Sequence, residues 1–340
     1  MRRRLITLAF SFTLSVLVVV ALAMISKWRT EQPNAFFRKY RPLQLVGTGF
    51  IRLNSGNWTF AGGDSITAIL NDRKVPNKLL FAKITDKDTI SKTITGCDTV
   101  RLYRGFFVHI NPSGVFLFDG QKPSIITGDK SNLRLNNIHR SPYFTAALPL
   151  SSGSFILREV KGDRQNYLVK LLNDQVVSNY RLSESKASYF SSDGELSADP
   201  TGRLFYTFFY RNQFLSLDSN LHILYKGKTI DTVGHPTIKD ATITSKNEIT
   251  LATPPVFVNK NSATNGKYLF INSGLKADND ADEAFNTNAV IDVYLAKNGH
   301  YFDSFYLPLF KNSKLREFRV FGNRLLVLYP DCLYFYKLNF

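Results

Sequence analysis

Short apolar or alternating segments recur along the chain from residue 43 onward, each bounded by turn residues. Alternation of apolar and polar positions over short runs is typical of β-strands, and no convincing helical period replaces it in this region. Gly105–Asn111 and Val115–Asp119, for example, are separated by a three-residue turn. Asn298-Gly299, a strong hairpin signal, separates two further alternating segments. The pattern therefore predicts an all-β chain.

The predicted strands group into units of similar length. Their third strands begin near Leu79, Val115, Asn166, Gln213, Val290 and Cys332. The separations are 36, 51, 47, 77 and 42 residues, and four of them lie close to the period of about 40–50 residues of β-propeller blades. The longest separation contains two candidate insertions, Lys228–Asp240 and Gly274–Asn288. The spacing predicts six blades, with five or seven as alternatives.

The two ends of this region complement each other. The last predicted meander ends at Phe340 after its third strand, and Leu43–Leu53 is a strand-like segment with no hairpin partner. Pairing the two would complete the last blade and remove exposed sheet edges. We therefore expect an amino-terminal strand to close the propeller, which spans residues 43–340.

Blade-like units such as Gly105–Asp119 and Arg203–Tyr225 resemble those of TolB-like six-bladed β-propellers, in particular uncharacterised membrane-tethered or secreted proteins of Bacteroidota. The resemblance is architectural, since the Trp-Asp dipeptide of WD40 repeats and a Tyr-Trp-Thr-Asp signature are absent. It implies a propeller that binds proteins, glycans or small ligands at its central face. Some propellers of this kind are enzymes.

The amino terminus carries a different pattern. Three arginines precede an uncharged run from Leu5 to Ser26, which Lys27-Trp28-Arg29 follows. A helix of this length spans about 33 Å, enough for a hydrocarbon core of about 30 Å. We therefore predict a transmembrane signal-anchor helix at residues 5–26. Cleavage after Ala23, as in a signal peptide, is the alternative.

The charges flanking this run predict the topology. The positive-inside rule places residues 1–4 in the cytoplasm, so residues 27–42 form a basic juxtamembrane linker and the propeller lies outside. In a Gram-negative bacterium this is the periplasmic side of the inner membrane. The expected protein is a single-pass membrane protein whose bulk is extracytoplasmic.

Composition narrows the class of protein. An aromatic content of 14% with 21% charged residues excludes disorder, and two cysteines cannot build a disulfide framework. The net charge is +16, and residues 1–29 account for five of these charges. The densest remaining cluster, Arg38-Lys39-Tyr40-Arg41, is expected to contact anionic lipid headgroups. Nucleic acid is an unlikely partner, because no recognised binding module is present.

Local catalytic motifs are absent from the sequence. It contains no G-x-S-x-G, no H-E-x-x-H and no P-loop. None of the five histidines has a second His or Cys at metal-ligand spacing; they are His109, His139, His222, His235 and His300. His109 lies in an apolar strand, where we expect it to pack in the core or line the channel rather than serve as a metal ligand. We expect His300 to lie in a solvated turn near Asp303, and His235 in a loop.

Three further features have two interpretations each. Cys97 and Cys332 lie at opposite ends of the predicted ring and could form a disulfide, although two separate buried thiols are preferred. The acidic run Asp278–Glu283 resembles a calcium loop but breaks the EF-hand pattern, so a solvated loop is preferred. The aromatic strand Phe205–Tyr210 could stack on sugars or peptides, but core packing is preferred.

Two functions remain open at this point. The preferred one is a non-enzymatic binding or scaffold module for a partner protein or envelope ligand. The alternative is a lyase, hydrolase or cyclotransferase with an active site in the central channel. Two or more His, Asp or Glu side chains converging in the channel would favour the enzyme, and a hydrophobic or uniformly basic face would favour binding. The sequence assigns no catalytic residue, cofactor, metal ligand or oligomeric state.

Overall fold

The computed structural model describes residues 2–30, 34–40, 44–54, 56–96, 106–161, 165–182, 188–246 and 248–339. Beyond helix α1 (Arg2–Thr30), the described chain is nearly all β, as the alternation of apolar and polar positions predicts. Strand β1 (Gln44–Arg52) begins this region. The strands that follow form successive antiparallel meanders.

The first two meanders share one eight-stranded sheet, in the order β5-β4-β3-β2-β6-β7-β8-β9. Its strands are β2 (Trp58–Gly63), β3 (Thr67–Asp72), β4 (Val75–Lys83), β5 (Asp88–Thr93), β6 (Phe107–Asn111), β7 (Gly114–Asp119), β8 (Ser124–Asp129) and β9 (Arg134–Arg140). The meanders meet where β2 and β6 run parallel, at Gly62 and Ile110. A Cβ at Gly62 would lie 2.1 Å from the Ile110 carbonyl oxygen, so only glycine fits there.

The next two meanders are separate four-stranded sheets, each ordered as in the sequence. One contains β10 (Phe144–Ser151), β11 (Ser154–Val160), β12 (Asn166–Leu172) and β13 (Gln175–Arg181). The other contains β14 (Gly194–Ala198), β15 (Leu204–Phe208), β16 (Gln213–Leu217) and β17 (Ile223–Lys228).

The long interval in the repeat spacing contains extra elements. After an irregular segment, β18 (Asp240–Ile243) and β19 (Glu248–Leu251) pair as a small hairpin around a 3-10 turn, Thr244–Lys246. The next sheet contains β20 (Asn259–Thr264), β21 (Tyr268–Ser273), β22 (Asn288–Leu295) and β23 (Tyr301–Pro308). Helix α2 (Asp282–Thr287) lies between β21 and β22, in the second predicted insertion.

The last sheet joins the two ends of the β region. It contains β24 (Glu317–Phe321), β25 (Arg324–Leu328) and β26 (Cys332–Asn339), with β1 as the outer strand beside β26. The β1–β26 register runs from Gln44 opposite Asn339 to Arg52 opposite Cys332. The predicted closure by an amino-terminal strand is confirmed.

Apolar side chains fill the spaces between consecutive sheets. Phe116 and Phe155, for example, belong to one buried cluster between the second and third meanders. Trp58, Leu326 and Phe335 belong to another, which packs the last sheet against the first. The meanders therefore close on each other. The first strands of consecutive sheets are neighbours on the inner side, in the pairs β2–β6, β10–β14, β14–β20 and β20–β24.

The large apolar side chains described in α1, from Ile6 to Met24, are exposed. Among the residues that the structure describes, no helix combines the length and hydropathy that crossing a membrane requires. The membrane-spanning role of residues 5–26 stays a prediction from the sequence.

Candidate functional site

Ionisable side chains from three inner strands meet in the middle of the molecule. His109 lies on β6, Glu195 on β14, and Glu317 and Arg319 on β24; we call these four residues the central cluster. The alternation along β24 buries Phe318 and leaves its charged neighbours half-buried. His109 has the same half-buried position between two buried residues of β6. Alternation therefore places these polar side chains opposite the residues that form the core.

Arg319 joins the two carboxylates of this cluster. Its Nη1 lies 3.5 Å from Oε1 of Glu195, and its Nη2 lies 3.9 Å from Oε2 of Glu317. The backbone N–H of Ser262 donates to Glu195 at 2.5 Å, and Thr59 Oγ1 donates to Glu317. These contacts connect strands β2, β14, β20 and β24.

The protein environment shifts the pKa values of Glu195 and His109 in opposite directions. Burial raises the pKa of Glu195 to about 7, a shift that Arg319 and the Ser262 N–H reduce and Glu317 increases. Burial, together with the charge of Arg319, lowers the pKa of His109 to about 4. At neutral pH the imidazole is therefore neutral, and the Glu195 carboxyl exchanges its proton readily.

Solvent reaches the central cluster although it lies deep in the molecule. The side chains are partly exposed to solvent: 35% for Arg319, 22% for Glu317 and 19% for Glu195. A carboxyl with a pKa near neutrality is suited to general acid–base catalysis, and a nearby guanidinium can stabilise developing negative charge. In the described part of the chain, no group of three or more His, Cys, Asp or Glu side chains is arranged to hold a metal ion.

A second ion pair joins Arg158 on β11 to Asp193, the residue before the inner strand β14. Arg158 Nη2 lies 2.5 Å from Oδ1 of Asp193, and its Nη1 donates to Thr145 Oγ1 on β10 at 2.5 Å. Burial raises the pKa of Asp193, although Arg158 opposes the shift. Asp193 directly precedes β14 and lies two residues from Glu195. The pair therefore lies at a mouth of the centre, about 7 Å along the strand from the central cluster.

The other histidines lie away from this centre. His139 on β9 contacts Thr127 and Asp174, at 3.1 and 2.9 Å. His222 contacts Asp218 at 3.0 Å across a turn. His235 and His300 are exposed, as the sequence predicts for a loop and a solvated turn. Among the candidate histidines, only His109 belongs to the central cluster.

The acidic run Asp278–Glu283 is exposed, as expected for a solvated segment, except at Asp280, and its last two residues begin α2. Asp280 is buried and accepts hydrogen bonds from the Arg38 guanidinium and the Tyr40 hydroxyl. Asp278 accepts from the backbone N–H groups of Asn34 and Ala35, at 2.7 and 3.1 Å. Two of the predicted calcium ligands instead attach residues 34–40 to the β20–β23 sheet. We call residues 34–40 together with Asp278, Asp280 and Asp292 the latch.

Arg38 is the centre of the latch. Its Nε lies 2.8 Å from Asp292 Oδ1, and its Nη2 donates to Ser273 Oγ at 2.8 Å and to the Leu275 carbonyl at 3.0 Å. Burial would lower the Arg38 pKa, but Asp292 and Asp280 raise it above its ordinary value. The prediction that Arg38 contacts lipid headgroups is therefore wrong. Within the expected linker 27–42, residues 34–40 pack against the β sheet, and Arg41 lies outside the described residues.

The remaining candidates are structural. Cys332 is a free, fully buried thiol, and burial raises its pKa to about 12; Cys97 lies outside the described residues. Phe205, Tyr206 and Phe208 are buried, which confirms core packing for most of the aromatic strand. Phe209 alone within that strand retains partial exposure.

Sequence reasoning missed Glu195, Glu317 and Arg319. Each lies among the first three residues of the first strand of a meander, where side chains turn toward the centre of a ring. Superimposing the repeat units by their first strands would have brought these positions together with His109. The signal was therefore positional rather than a local motif.

No protein-family model and no curated protein matches this chain. A Bacteroides fragilis protein described as exported is similar in structure, with a TM-score of 0.56 and 11% identity over 89% of this chain and 99% of that one. Virginiamycin B lyase from Staphylococcus aureus has a TM-score of 0.49 and 13% identity over 87% and 99% of the two chains. BamB from Moraxella catarrhalis has a TM-score of 0.40 and 12% identity over 89% and 96%. These are β-propeller proteins. With its successive meanders and closing strand, this chain has the β-propeller fold.

Proposed function

We propose that this protein is an exported enzyme, a lyase or hydrolase, that performs acid–base chemistry on a small polar substrate in the centre of its propeller. The observation that carries the proposal is the convergence of His109, Glu195 and Glu317 around Arg319 where solvent has access. A uniformly basic or hydrophobic centre would have favoured a binding module instead. The absence of local motifs is compatible with a site assembled from separate sheets.

The proposed chemistry follows from the roles that each group can take. In a lyase, ionised Glu195 accepts a proton from a substrate carbon, and a C=C bond forms as the bond to the leaving group breaks; in a hydrolase, it accepts the proton from the water that attacks the substrate and displaces the leaving group. In both cases Arg319 stabilises the negative charge that develops. Protonated Glu195 then returns the proton to the leaving group, so the residue ends in its starting state. Glu317 orients Arg319, and neutral His109 offers one donor and one acceptor to the substrate.

We also propose that the propeller has six blades. Five blades correspond to the meanders β2–β5, β6–β9, β10–β13, β14–β17 and β20–β23, and the sixth to β24–β26 with β1. The extra hairpin β18–β19 is then an insertion rather than a blade.

Export is also proposed rather than observed. It rests on the arginine-flanked uncharged run at residues 5–26 and on the exposed apolar side chains of α1, which lipid would cover. In a native host, protease added to intact spheroplasts should degrade the propeller while a tag before Met1 stays protected. Alkaline carbonate should leave an uncleaved anchor in the membrane. Degradation of the tag and protection of the propeller would reverse the proposed topology.

Because the substrate is unidentified, the activity is tested on a mixture of candidate compounds. Full-length protein in detergent is incubated with small-molecule and oligosaccharide extracts of the host envelope, and mass spectrometry follows the loss of each compound. We expect at least one compound to be converted by the wild type and not by Glu195→Gln. Glu248→Gln, an exposed change on β19, is the control and should retain conversion. Identical profiles for the wild type and Glu195→Gln would overturn the enzyme proposal.

The alternative is the non-catalytic binding or scaffold module. The lack of local catalytic motifs favours it. Crosslinking in the native membrane followed by mass spectrometry tests it, because a scaffold should retain one stoichiometric envelope partner. Recovery of background proteins alone would count against this alternative.

A further inference from the structure

A group of aromatic side chains lies at the same mouth of the propeller as the Arg158–Asp193 pair. Because each meander has four strands, the chain leaves every outer strand at the end where the next inner strand starts. The beginnings of the inner strands therefore lie at the same mouth. Tyr143 directly precedes β10, Asp193 directly precedes β14, and Phe257 lies two residues before β20.

The aromatic side chains are partly or largely exposed, and most of them pack against a neighbouring ring. Tyr143 and Phe257 are 42% and 39% exposed. The Phe257 ring packs on Phe209 and Tyr210, with centroids 5.9 and 5.1 Å apart. Tyr189 packs edge-on against its neighbour Phe190 at 5.2 Å. We call Tyr143, Tyr189, Phe190, Phe209 and Phe257 the aromatic mouth.

Electrostatic coupling joins this surface to the ion pair. The charges of Arg158 and Asp193 act on the pKa values of Tyr189 and Tyr210, and Tyr143 acts on that of Tyr189. These rings therefore lie within electrostatic range of the ion pair, at the mouth where β10, β14 and β20 begin. Half-exposed aromatic faces beside fixed polar groups suit a ligand with an apolar face and a polar edge.

Basic side chains occupy the neighbouring sector of the same mouth. Lys260 is the second residue of β20, and Lys314 lies three residues before β24. Both are exposed. Although Lys260 is exposed as a whole, partial burial of its ammonium group lowers its pKa, and the nearby charge of Lys314 lowers it further. A negatively charged group bound between them would relieve this repulsion.

We propose that this mouth binds an acidic oligosaccharide, with sugar rings on the aromatic mouth and carboxylates near Lys260 and Lys314. A sugar ring has an apolar C–H face and a rim of hydroxyl groups, which matches aromatic faces beside Arg158 and Asp193. The inference rests on the proposed function, because the ligand would extend from the mouth to the central cluster. The carboxylate of such a sugar also makes the adjacent C–H acidic, which suits proton abstraction by Glu195.

Binding is tested by calorimetry on full-length protein in detergent. The probes are hexagalacturonate and hyaluronan hexasaccharide as acidic chains, cellohexaose as a neutral chain, and polyphosphate as a simple polyanion. We expect at least one acidic hexasaccharide to bind more tightly than cellohexaose and polyphosphate, with an affinity that decreases as salt increases. Failure of both acidic chains to bind would overturn the inference.

Variants separate stacking from charge. Phe257→Ala should weaken binding by about tenfold, corresponding to about 1.4 kcal/mol, whereas Val256→Ala, an exposed change at the adjacent residue, should leave it unchanged. Lys260→Ala should weaken binding severalfold, and Lys267→Ala, beyond the other end of β20, should not. Equal effects of the members of each pair would overturn the inference.

Failure of this inference and failure of the enzyme proposal give different results. Calorimetry on the wild type and Phe257→Ala reports oligosaccharide binding, whereas conversion by the wild type and Glu195→Gln reports the enzyme. Binding without any Glu195-dependent conversion would keep this inference and overturn the enzyme. Conversion of another compound without oligosaccharide binding would keep the enzyme and overturn this inference.

Discussion

The latch and the central cluster each contain an arginine that lies between two carboxylates, but the surroundings of the two arginines differ. In the latch, the side chains of Arg38, Asp280 and Asp292 are 0%, 0% and 3% exposed. In the central cluster, Arg319 and its two glutamates keep between 19% and 35% of their exposure. The latch contacts are direct hydrogen bonds, whereas Arg319 lies 3.5 and 3.9 Å from its carboxylates.

The difference indicates what each cluster can do. The donors of Arg38 bind two carboxylates, a hydroxyl and a carbonyl, so the latch leaves no role for a ligand. Arg319 is less constrained, and one of its carboxylates has a pKa near neutrality. Complete burial and pairing produce a structural contact, and partial access produces a group that can exchange protons.

We expect the largest effect on stability when the positively charged Arg38 side chain is removed from the latch. Arg38→Met leaves Asp280 and Asp292 buried without their counter-charge, which should lower the free energy of unfolding by about 3–5 kcal/mol. Chemical denaturation at pH 7 measures this loss. Lys39→Met removes a neighbouring exposed charge and should change stability by less than about 0.5 kcal/mol. Equal losses in the two variants would mean that the buried ion pairs do not stabilise the fold.

The next effect concerns the pH dependence of stability. The pKa of Glu195 is about 7 in the folded protein against 4.5 ordinarily, so the folded state holds the proton more tightly. The resulting stabilisation is full below pH 4.5 and is lost as pH rises through 7, with a size of up to about 3 kcal/mol. Glu195→Gln should remove this dependence, so its stability relative to the wild type should increase between pH 5 and pH 8. A constant difference across that range would contradict the raised pKa.

A smaller effect tests the coupling inside the central cluster. The negative charge of Glu317 contributes to raising the pKa of Glu195, so Glu317→Gln should move the stability transition of Glu195 to lower pH. Thr59 Oγ1 and the Phe60 N–H donate to different oxygens of Glu317, and Gln keeps only one acceptor oxygen, so loss of one hydrogen bond should also cost about 1 kcal/mol. Stability curves recorded at several pH values separate the two effects, since only the first depends on pH. An unchanged or higher transition pH would mean that the two carboxylates do not interact.

The sequence predicted the architecture better than the site. Alternation, a local pattern, was sufficient for the β class, and the strand-like segments without partners at the two ends of the β region were sufficient for the closing strand. The latch was missed because Arg38 and Asp280 are 242 residues apart in sequence and meet only through the fold. Glu195 and Arg319 were missed for the same reason, since separate meanders contribute them. His109 was identified because an ionisable residue in an apolar strand is a local signal.

We expect the smallest effect on stability at the edge of the latch. This effect tests whether burial, rather than negative charge alone, determines how much a carboxylate contributes to stability. Asp282 lies in the same acidic run as Asp280 but is 82% exposed and pairs with Lys276 at 2.5 Å. Water and salt screen such a pair, so Asp282→Asn should change stability by less than about 0.5 kcal/mol. Calcium should leave the melting temperature of the wild type unchanged, because Asp278 and Asp280 already bind residues 34–40. A calcium-dependent rise that Asp282→Asn abolishes would instead mean that the acidic run binds a cation, with the latch as its apo arrangement.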